Sequence, residues 1–262
     1  MTGTKLGDLA GRAILVTGAS TGIGAALARA LAAQGALVGL HYNASRDAAE
    51  ALAAEIEAGQ GRVRLIRADV SRSSEARRAV EEMVAGFGRL DGLVNNAGGM
   101  VRRVPYAEAS DKDYDEIMDL NARSVIAASQ ASIAHLKAAA KETGDAFIIN
   151  TTSIAARNGA SGGAGLYGSS KAFVHNVTRG MAKELIPFGI RVNAVAPGVI
   201  ATPFHERYST QAQLDAMLAT IPAGRLGTPE DCVGAFLFLA SRSLSGYIAG
   251  QVIEVNGGQL MP

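Results

Sequence analysis

Tyr167 and Lys171 stand four residues apart in the segment Tyr-Gly-Ser-Ser-Lys, and Ser153 lies fourteen residues before the tyrosine. On a helix, residues i and i+4 share one face, so this spacing would place the phenol one turn away from the ammonium. A free tyrosine has a pKa of about 10. A lysine cation beside it favours the phenolate and lowers that pKa. The three side chains therefore predict a proton donor and acceptor that works near neutral pH.

A glycine-rich turn near the N-terminus offers a second kind of chemistry. The segment Thr17-Gly-Ala-Ser-Thr-Gly-Ile-Gly24 follows an apolar run and leads into a helical pattern. Glycines in this context let the backbone turn tightly and approach a pyrophosphate at the helix N-terminus. The spacing departs from the G-x-G-x-x-G fingerprint, so a plain strand-to-helix turn is the alternative. The residues predicted to bind a dinucleotide here are Gly18, Ser20, Thr21, Gly22, Ile23 and Gly24.

The end of the second predicted strand bears on which dinucleotide binds. Sites for NAD usually carry an acid there, whereas the stretch from Leu40 to Arg46 has no carboxylate. A 2′-phosphate would meet no repulsion, and the nearby donors are those of Tyr42, Asn43, Ser45 and Arg46. We therefore favour NADP(H) and keep NAD(H) as the alternative, because Thr21 adds no charge and Arg46 can face solvent from a helix start. His41 is expected to be a strand-end residue and not a catalyst.

Two later strand ends complete the predicted nucleotide site. Asp69 and Val70 end the third strand, where the carboxylate would accept from an adenine amine or, alternatively, cap a helix. The segment Asn95-Asn-Ala-Gly-Gly99 ends the fourth strand. Open α/β sheets bind ligands at the carboxyl ends of their strands. Small residues there let a cofactor lie against the backbone.

Composition limits the class of protein. The chain has 262 residues, 48% of them apolar and 19% charged, with a formal net charge of +1. No basic stripe appears, Met1–Arg12 lacks a signal-peptide core, and no apolar run approaches about 18 residues. The single Cys232 excludes an intrachain disulfide. We expect a cytoplasmic protein that binds neither nucleic acid, membrane nor metal.

Short apolar runs alternate with longer helical patterns along the chain. The predicted strands are Ala13–Thr17, Leu37–His41, Val63–Ala68, Gly92–Asn95, Ala146–Thr151, Arg191–Ala196 and Gln251–Val255. The predicted helices are Ile23–Gln34, Ala48–Ala58, Ser74–Phe87, Asp111–Lys141, Tyr167–Ile186 and Pro229–Ala240. This alternation predicts an α/β fold with a parallel sheet and helices on both faces. We expect one domain over residues 1–262, with substrate loops at about 98–110, 153–166 and 197–225.

These motifs together resemble those of the short-chain dehydrogenase/reductase family. In the family's order, the chain carries Thr17-Gly-x-x-x-Gly-Ile-Gly24, Asp69-Val70, Asn95-Asn-Ala-Gly98, Asn121, Ser153, Tyr167-x-x-x-Lys171 and Pro197-Gly198. The match extends to Gly258 and is most similar to the branch of 3-oxoacyl-carrier-protein reductases and sugar or polyol dehydrogenases. The resemblance implies a Rossmann-type, doubly wound fold with a seven-stranded parallel sheet. It also implies NAD(P)-dependent interconversion of a ketone and a secondary alcohol.

The resemblance assigns roles to the residues that match the family's motifs. Tyr167 would be the general acid and base, and Lys171 would lower its pKa and bind the nicotinamide ribose. Ser153 would hydrogen-bond the substrate oxygen, and Asn121 would hold a water that links Lys171 to solvent. The remaining implied cofactor contacts are Asn96, Ala97 and Gly98 near the ribose, and Pro197, Gly198, Ile200 and Thr202 near the nicotinamide.

The loops after strands four, five and six are unusually basic. They carry Arg102, Arg103, Arg157, His205 and Arg207. Because arginine binds carboxylates and sulfonates with forked donors, we expect a substrate with an anionic group on a sugar-like body. Charge on the surface of mobile loops is the alternative.

Three further expectations concern function and assembly. A 3-oxoacyl-carrier-protein reductase is the alternative activity, although Phe188 stands where that branch often has a basic residue. A non-catalytic dinucleotide sensor or scaffold is the alternative from another class. The small residues along Asp111–Lys141 and Tyr167–Ile186 permit close packing, and the resemblance implies a homotetramer with these helices paired between subunits.

Overall fold

The computed structural model describes residues 5–262, which contain one seven-stranded parallel sheet. The strands are β1 (Ala13–Val16), β2 (Leu37–Tyr42), β3 (Arg62–Arg67), β4 (Gly92–Asn95), β5 (Ala146–Thr151), β6 (Ile190–Pro197) and β7 (Val252–Val255). Their order is β3-β2-β1-β4-β5-β6-β7, and each neighbouring pair is parallel. The predicted fold class is confirmed. Because the order reverses between β1 and β4, a crevice opens at the carboxyl ends of these strands.

Helices cover both faces of the sheet. They are α1 (Gly22–Ala33), α2 (Arg46–Ala58), α3 (Ser73–Phe87), α4 (Asp111–Met118), α5 (Ser124–Thr143), α6 (Ala155–Asn158), α7 (Gly165–Leu185), α8 (Pro203–Tyr208), α9 (Gln211–Leu218), α10 (Pro229–Ala240) and α11 (Arg242–Ser245). The predicted helix Asp111–Lys141 is interrupted by a π-helical turn over Asp119–Arg123. Within residues 5–262, no helix combines the length and apolarity needed to cross a membrane.

The sheet buries its two faces in separate apolar layers. Along β1, Ile14 points into the layer under α1, α2 and α10, and Leu15 points into the layer under α3, α5 and α7. This alternation follows from the period of two along a strand. Both residues are fully buried, as expected of a sheet covered on both sides. The result is a rigid platform whose carboxyl edge carries the polar side chains of the crevice.

The amino edge of the sheet is held by a buried ion pair. Arg191, near the start of β6, binds both carboxylate oxygens of Asp145 at 2.8 and 3.1 Å. Its remaining donors reach the carbonyls of Leu239 and Ala240 at the C-terminus of α10. A cation is favoured there because the helix dipole places negative charge at that end. This pair fixes α10 against the sheet, at the edge opposite the crevice.

Candidate active site

A cavity of about 660 Å³ opens at the carboxyl edge of the sheet. The loops that follow five strands line it, with Gly18 after β1, Asn43 after β2, Asn96 after β4, Ser153 after β5 and Gly198 after β6. The cavity thus occupies the crevice where the strand order reverses, which is the usual ligand site of such sheets.

Tyr167 and Lys171 lie one turn apart at the start of α7 and both line the cavity. The Lys171 side chain is buried, with its Nζ 2.9 Å from the carbonyl oxygen of Thr151 and 5.9 Å from the centroid of the Tyr167 ring. The Thr152 hydroxyl donates to the carbonyl oxygen of Lys171 at 2.9 Å. These two hydrogen bonds tie α7 to the end of β5 and fix the position of both catalytic candidates.

Burial controls the protonation of this pair. It raises the pKa of Tyr167 to about 12, against a smaller lowering by the Ser153 hydroxyl. Burial also lowers the pKa of Lys171 to about 8. The net lowering of the Tyr167 pKa expected from the sequence is absent, because loss of water on burial disfavours the phenolate more strongly than the neighbouring groups favour it. At neutral pH the phenol therefore holds its proton and the ammonium remains charged.

Ser153 follows β5 and faces the same part of the cavity. Its Oγ accepts a hydrogen bond from the backbone N–H of Ala155 at 3.1 Å, which orients the hydroxyl at the start of α6. The backbone N–H of Ile154 donates to Pro197 at 2.9 Å and ties this segment to β6. The Ala155 N–H engages one of the two Oγ lone pairs, and the hydroxyl can still donate its proton, either to Tyr167 or to an acceptor in the cavity.

Asn121 lies in the π-helical turn and does not line the cavity. Its Nδ2 donates to the carbonyls of Gly99 and Ile117 at 2.8 and 2.9 Å, and its Oδ1 accepts from the N–H of Gly99 at 3.0 Å. The turn frees the Ile117 carbonyl from the helical ladder, and the Asn121 side chain satisfies it. A Cβ added at Gly98 would stand 2.8 Å from Asn121 Oδ1 and 2.9 Å from Lys171 Nζ. A side chain at position 98 would therefore displace one of these two polar groups.

The glycine-rich turn is anchored to the end of β4. Thr17 Oγ1 accepts from the N–H groups of Asn96 and Ala97 at 2.9 and 3.0 Å, a role that the sequence pattern did not reveal. Gly18 has a φ of +63°, and a Cβ on it would lie 2.9 Å from Ala97 Cα. A Cβ on Gly24 would collide with the carbonyl oxygen of Gly18. Both positions therefore need glycine so that α1 can approach the strand ends closely.

His41 is the penultimate residue of β2, as the sequence predicted, and it also lines the cavity. Its Nδ1 lies 2.9 Å from the backbone nitrogen of Gly18, and its Nε2 lies 3.0 Å from the carbonyl oxygen of Ala68. Burial lowers its pKa to about 4, against a smaller rise from the Ala68 hydrogen bond. The imidazole is therefore neutral, buried and hydrogen-bonded at both nitrogens.

Most of the predicted cofactor residues surround the cavity. Those that line it are Gly18, Ser20, Thr21, Gly22, Ile23, Asn43, Ser45, Asp69, Val70, Asn96, Ala97, Gly98, Tyr167, Lys171, Pro197, Gly198, Ile200 and Thr202. Three do not line it: Gly24 packs under the turn, Tyr42 is buried in the core, and Arg46 binds Glu50 at 2.7 Å on the surface. The predicted donor set at the end of β2 thus keeps Asn43 and Ser45 and lacks a cation directed at the cavity.

The five basic residues predicted for the substrate separate into two groups. Arg102 binds Asp113 at 3.1 Å and also pairs with Glu116, and Arg157 binds Glu254 at 2.7 Å. Neither of these arginines lines the cavity, because carboxylates hold them on other surfaces. The other three, Arg103, His205 and Arg207, do line it.

Arg103 is held by backbone carbonyls. Its Nε donates to Tyr208 at the end of α8 at 2.6 Å, and its Nη1 donates to Gly162 at 3.0 Å. No carboxylate within residues 5–262 forms an ion pair with it, and burial lowers its pKa. Val101, just before this pair of arginines, has a φ of +61°, which is unusual for a β-branched residue. This turn sends Arg102 toward α4 and Arg103 toward the cavity.

Helix α8 forms an aromatic wall over Tyr167. The ring of Phe204 lies 5.6 Å from the ring of Tyr167 and 5.0 Å from that of Tyr208, measured between centroids. These separations are typical of favourable tilted aromatic pairs. His205 in the same helix has its pKa lowered by burial and by Arg103, so it adds no positive charge at neutral pH. The mouth of the cavity therefore combines an apolar wall with the charges of Arg103 and Arg207.

Comparison with known proteins supports an oxidoreductase. The sequence family described as enoyl-(acyl carrier protein) reductase matches residues 18–259. The chain is 39% identical to a 3-oxoacyl-[acyl-carrier-protein] reductase of Synechocystis over 253 residues, which cover 97% of this chain and 98% of the relative.

Solved structures show the same architecture. An NADH-dependent reductase responsible for alginate metabolism has 40% identity and a TM-score of 0.90, covering 98% of this chain and 100% of that one. It is also similar in its complex with NAD, with a TM-score of 0.88. A short-chain dehydrogenase from Burkholderia cenocepacia in complex with NADP has 36% identity and a TM-score of 0.88, covering 96% of this chain and 99% of that one.

Proposed function

Because the chain belongs to the short-chain dehydrogenase/reductase family, we propose that Tyr167 is the general acid and base with which it interconverts a ketone and a secondary alcohol. The observation that carries this proposal is the convergence of Ser153, Tyr167 and Lys171 at the carboxyl end of β5. A nicotinamide dinucleotide supplies or accepts the hydride, and the protein supplies position and proton transfer.

The protonation of the site favours Tyr167 as the acid in reduction. Its raised pKa keeps the phenol protonated at neutral pH, so it has a proton to give to the ketone oxygen. Ser153 donates a hydrogen bond to the same oxygen as negative charge develops there. The Lys171 ammonium then stabilises the phenolate that forms. Its effect on Tyr167 is thus greatest after proton transfer and not in the resting site.

Asn121 supports this chemistry from behind the cavity. Its Oδ1 and the Lys171 Nζ both border the space that a side chain at position 98 would fill. We propose that a water in this gap returns a proton from solvent to Lys171 and Tyr167. The backbone hydrogen bonds of Asn121 to Gly99 hold the gap open.

The residues of the cavity fit a dinucleotide. The glycine-rich turn of Gly18 and Gly22 at the start of α1 suits a pyrophosphate, since the helix N-terminus offers unpaired N–H groups and a positive dipole. We propose that Asn96, Ala97 and Gly98 contact the nicotinamide ribose. The segment containing Pro197, Gly198, Ile200 and Thr202 would flank the nicotinamide.

We propose NADP(H) as the preferred cofactor. At the end of β2, Asn43 and Ser45 line the cavity and can donate to a 2′-phosphate, and the neighbouring carboxylate, Asp69, follows β3 and already accepts from Ser71. Arg46 would add a charge only after leaving Glu50, and both side chains are largely exposed. Fluorescence titration with NADPH and NADH tests the preference: tighter NADPH binding supports it, and tighter NADH binding overturns it.

We propose that the substrate carries an anionic group on a sugar-like body. Arg103 supports this because its guanidinium lines the cavity with backbone carbonyls as partners and no carboxylate to neutralise it. Arg207 adds a second positive charge at the mouth. The similarity to a reductase responsible for alginate metabolism points in the same direction, since alginate is an acidic polysaccharide.

The substrate class can be tested with matched pairs of ketones and aldehydes. Each pair contains a sugar-derived carbonyl compound with a carboxylate and its neutral alcohol or methyl ester counterpart. We expect NADPH oxidation with a lower KM for the acidic member of each pair. Equal KM values within the pairs would contradict an anionic substrate and leave the assignment of Tyr167 untouched.

A 3-oxoacyl-carrier-protein reductase is the second candidate. The observation that favours it is the 39% identity to the reductase of Synechocystis over nearly the whole length of both chains. The exposed Phe188 ring lies under the Lys137 ammonium at 3.4 Å, so the surface there is only partly basic. Faster turnover of a 3-oxoacyl thioester than of acidic sugars would favour this candidate.

We also propose a homotetramer in which α5 and α7 pair between subunits. Phe173 is exposed on α7 and borders a shallow depression that also includes Val177 and Gly180. An apolar ring next to small residues on an exposed helix face suits close packing against a second copy. Light scattering of the purified protein tests this, and a monomeric mass would contradict it.

A further inference from the structure

His41 is a side chain that the proposed chemistry does not use, yet it joins two loops of the nucleotide site. It is 1% exposed near the end of β2 and also lines the cavity. Its ring reaches Gly18 in the glycine-rich turn and Ala68 at the end of β3. Its own carbonyl oxygen accepts from the N–H of Ala19 at 2.8 Å. His41 is thus bonded three times to the segments that flank the cavity.

The two partners fix one state of the imidazole. The Gly18 nitrogen can only donate, so His41 Nδ1 must be the unprotonated acceptor. The Ala68 carbonyl can only accept, so Nε2 must carry the proton. A second proton on Nδ1 would face the Gly18 N–H directly. The charged groups nearest the ring are Asp69 and Arg78, whose effects on it oppose each other.

The two bonded loops serve different ends of a dinucleotide. Gly18 opens the turn that leads to the start of α1, where a pyrophosphate fits. Ala68 immediately precedes Asp69 and Val70, which line the cavity next to the end of β2. A side chain that bridges the two loops sets the distance between the phosphate and the adenosine parts of the site.

We propose that His41 is a positioning residue for the dinucleotide, which holds the phosphate turn and the adenosine loop at a fixed separation through its neutral Nε2–H tautomer. It does not touch the reacting atoms. Its loss should weaken cofactor binding and leave the rate of the saturated enzyme nearly unchanged. This proposal depends on dinucleotide binding only and does not depend on the identity of the substrate.

Three substitutions separate the two hydrogen bonds. His41→Leu removes both. His41→Asn places an amide oxygen near the position of Nδ1, so it can still accept from Gly18 but does not reach Ala68. His41→Gln places an amide nitrogen near the position of Nε2, so it can still donate to Ala68 but does not satisfy Gly18. An unsatisfied buried donor is costly, so the Gln variant should be more affected than the Asn variant.

The readout is the Kd of NADPH and of NADH by fluorescence, together with kcat at saturating cofactor and the melting temperature. We expect His41→Leu to raise both Kd values by about tenfold or more. His41→Asn should recover most of the affinity, and kcat should change less than twofold in both variants. Unchanged Kd values in a folded His41→Leu protein would overturn the proposal, as would a fall in kcat without a rise in Kd.

A measurement on the unmodified protein covers the case in which the variants fold poorly. In nitrogen NMR of the histidine side chains, the ring assigned to His41 should be neutral, with a bare Nδ1 and a protonated Nε2, from pH 5 to pH 8. Cofactor binding should leave the His41 ring in the same tautomer. A His41 ring that titrates near the usual histidine pKa, or that carries its proton on Nδ1, would contradict the assigned hydrogen bonds.

Discussion

Lys171 and Arg191 are both buried cations, and they lie at opposite edges of the sheet. Arg191 binds both carboxylate oxygens of Asp145 and two carbonyls at the end of α10. Lys171 has the Thr151 carbonyl as its hydrogen-bond partner and no ion pair within residues 5–262. Burial therefore lowers the pKa of Lys171 to about 8. A buried cation paired with a carboxylate serves the fold, whereas one without such a partner is available for chemistry.

The same distinction separates the arginines at the mouth of the cavity. Arg102 and Arg157 bind carboxylates and lie away from the cavity. Arg103 binds carbonyls and faces the cavity. Since carbonyls orient a guanidinium without neutralising it, Arg103 keeps its charge for a ligand. The partner of each cation, and not its position in the sequence, separates structural from functional candidates.

The largest expected effects are those of Lys171→Met on catalysis and of Arg191→Met on stability. Lys171→Met should lower kcat by about 10² to 10⁴ and change the free energy of unfolding by less than about 1 kcal/mol. Arg191→Met removes both short hydrogen bonds to the buried Asp145 carboxylate and leaves it only the longer contact with Arg12 at 4.0 Å, so it should lower the free energy of unfolding by about 3 to 5 kcal/mol.

Denaturant unfolding and steady-state kinetics, measured on both variants, check that one substitution affects kcat and the other affects stability. The folded fraction of Arg191→Met should keep its kcat, because Arg191 lies at the edge of the sheet opposite the cavity. A large loss of stability in Lys171→Met with normal kcat would reverse the comparison.

The next effect concerns Arg103, with Arg102 as the matched control. Arg103→Ala should raise the KM of an acidic substrate about tenfold to a hundredfold, since a charge-assisted hydrogen bond is lost. The KM of the neutral counterpart should change little. Arg102→Ala should leave the KM of both compounds within about twofold, because Arg102 is already bound to Asp113 and Glu116. Equal effects of the two substitutions on the acidic substrate would remove the distinction.

The charge of Lys171 should appear in the pH dependence of reduction. Its pKa in the folded protein is lowered to about 8, so the ammonium is present below that pH and is lost as the pH rises through it. We expect kcat to fall by about tenfold between pH 7 and pH 9. Lys171→Arg keeps its charge throughout this range and should lose this fall, even if its rate is lower. A flat profile for the unmodified enzyme would show that the lysine charge is not needed.

The smallest effect is expected at Arg46, an exposed cation paired with Glu50. Glu50→Gln frees Arg46 and should improve the preference for NADPH over NADH by a fewfold at most. Arg46→Ala should reduce that preference by a similar factor. Titrations at low and high salt check both, because an exposed charge is screened by salt. No change in either variant would place Arg46 outside the cofactor site.

The sequence was most informative where function depends on local pattern. The strand limits agree with the structure within one residue, because buried parallel strands are short apolar runs between turns. The spacing of Tyr167 and Lys171 and the glycines of the turn predicted a shared site, and the structure places Tyr167, Lys171, Gly18 and Gly22 around one cavity. These features depend on residues that are close in the chain or that begin and end elements.

The sequence was least informative where function depends on partners that are distant in the chain. Arg157 is fixed by Glu254, 97 residues away, and Arg103 by Tyr208, 105 residues away. Neither pairing has a local signal, so the five basic residues looked equivalent. His41 likewise gains its role from Gly18 and Ala68, which lie in the loops that follow β1 and β3. The short helix α8 and the π-helical turn at Asn121 were missed because each covers too few residues to show a period.

The most direct test of the assigned mechanism is a comparison of Tyr167→Phe with the unmodified enzyme. The measurement is kcat for reduction of an acidic sugar-derived ketone with NADPH, together with the Kd of NADPH. Removing the phenol oxygen deletes the proposed proton donor and leaves the ring against Phe204. The account predicts an unchanged Kd and a kcat reduced by about 10² or more. Retained turnover with normal cofactor binding would contradict the assignment of Tyr167 as the general acid.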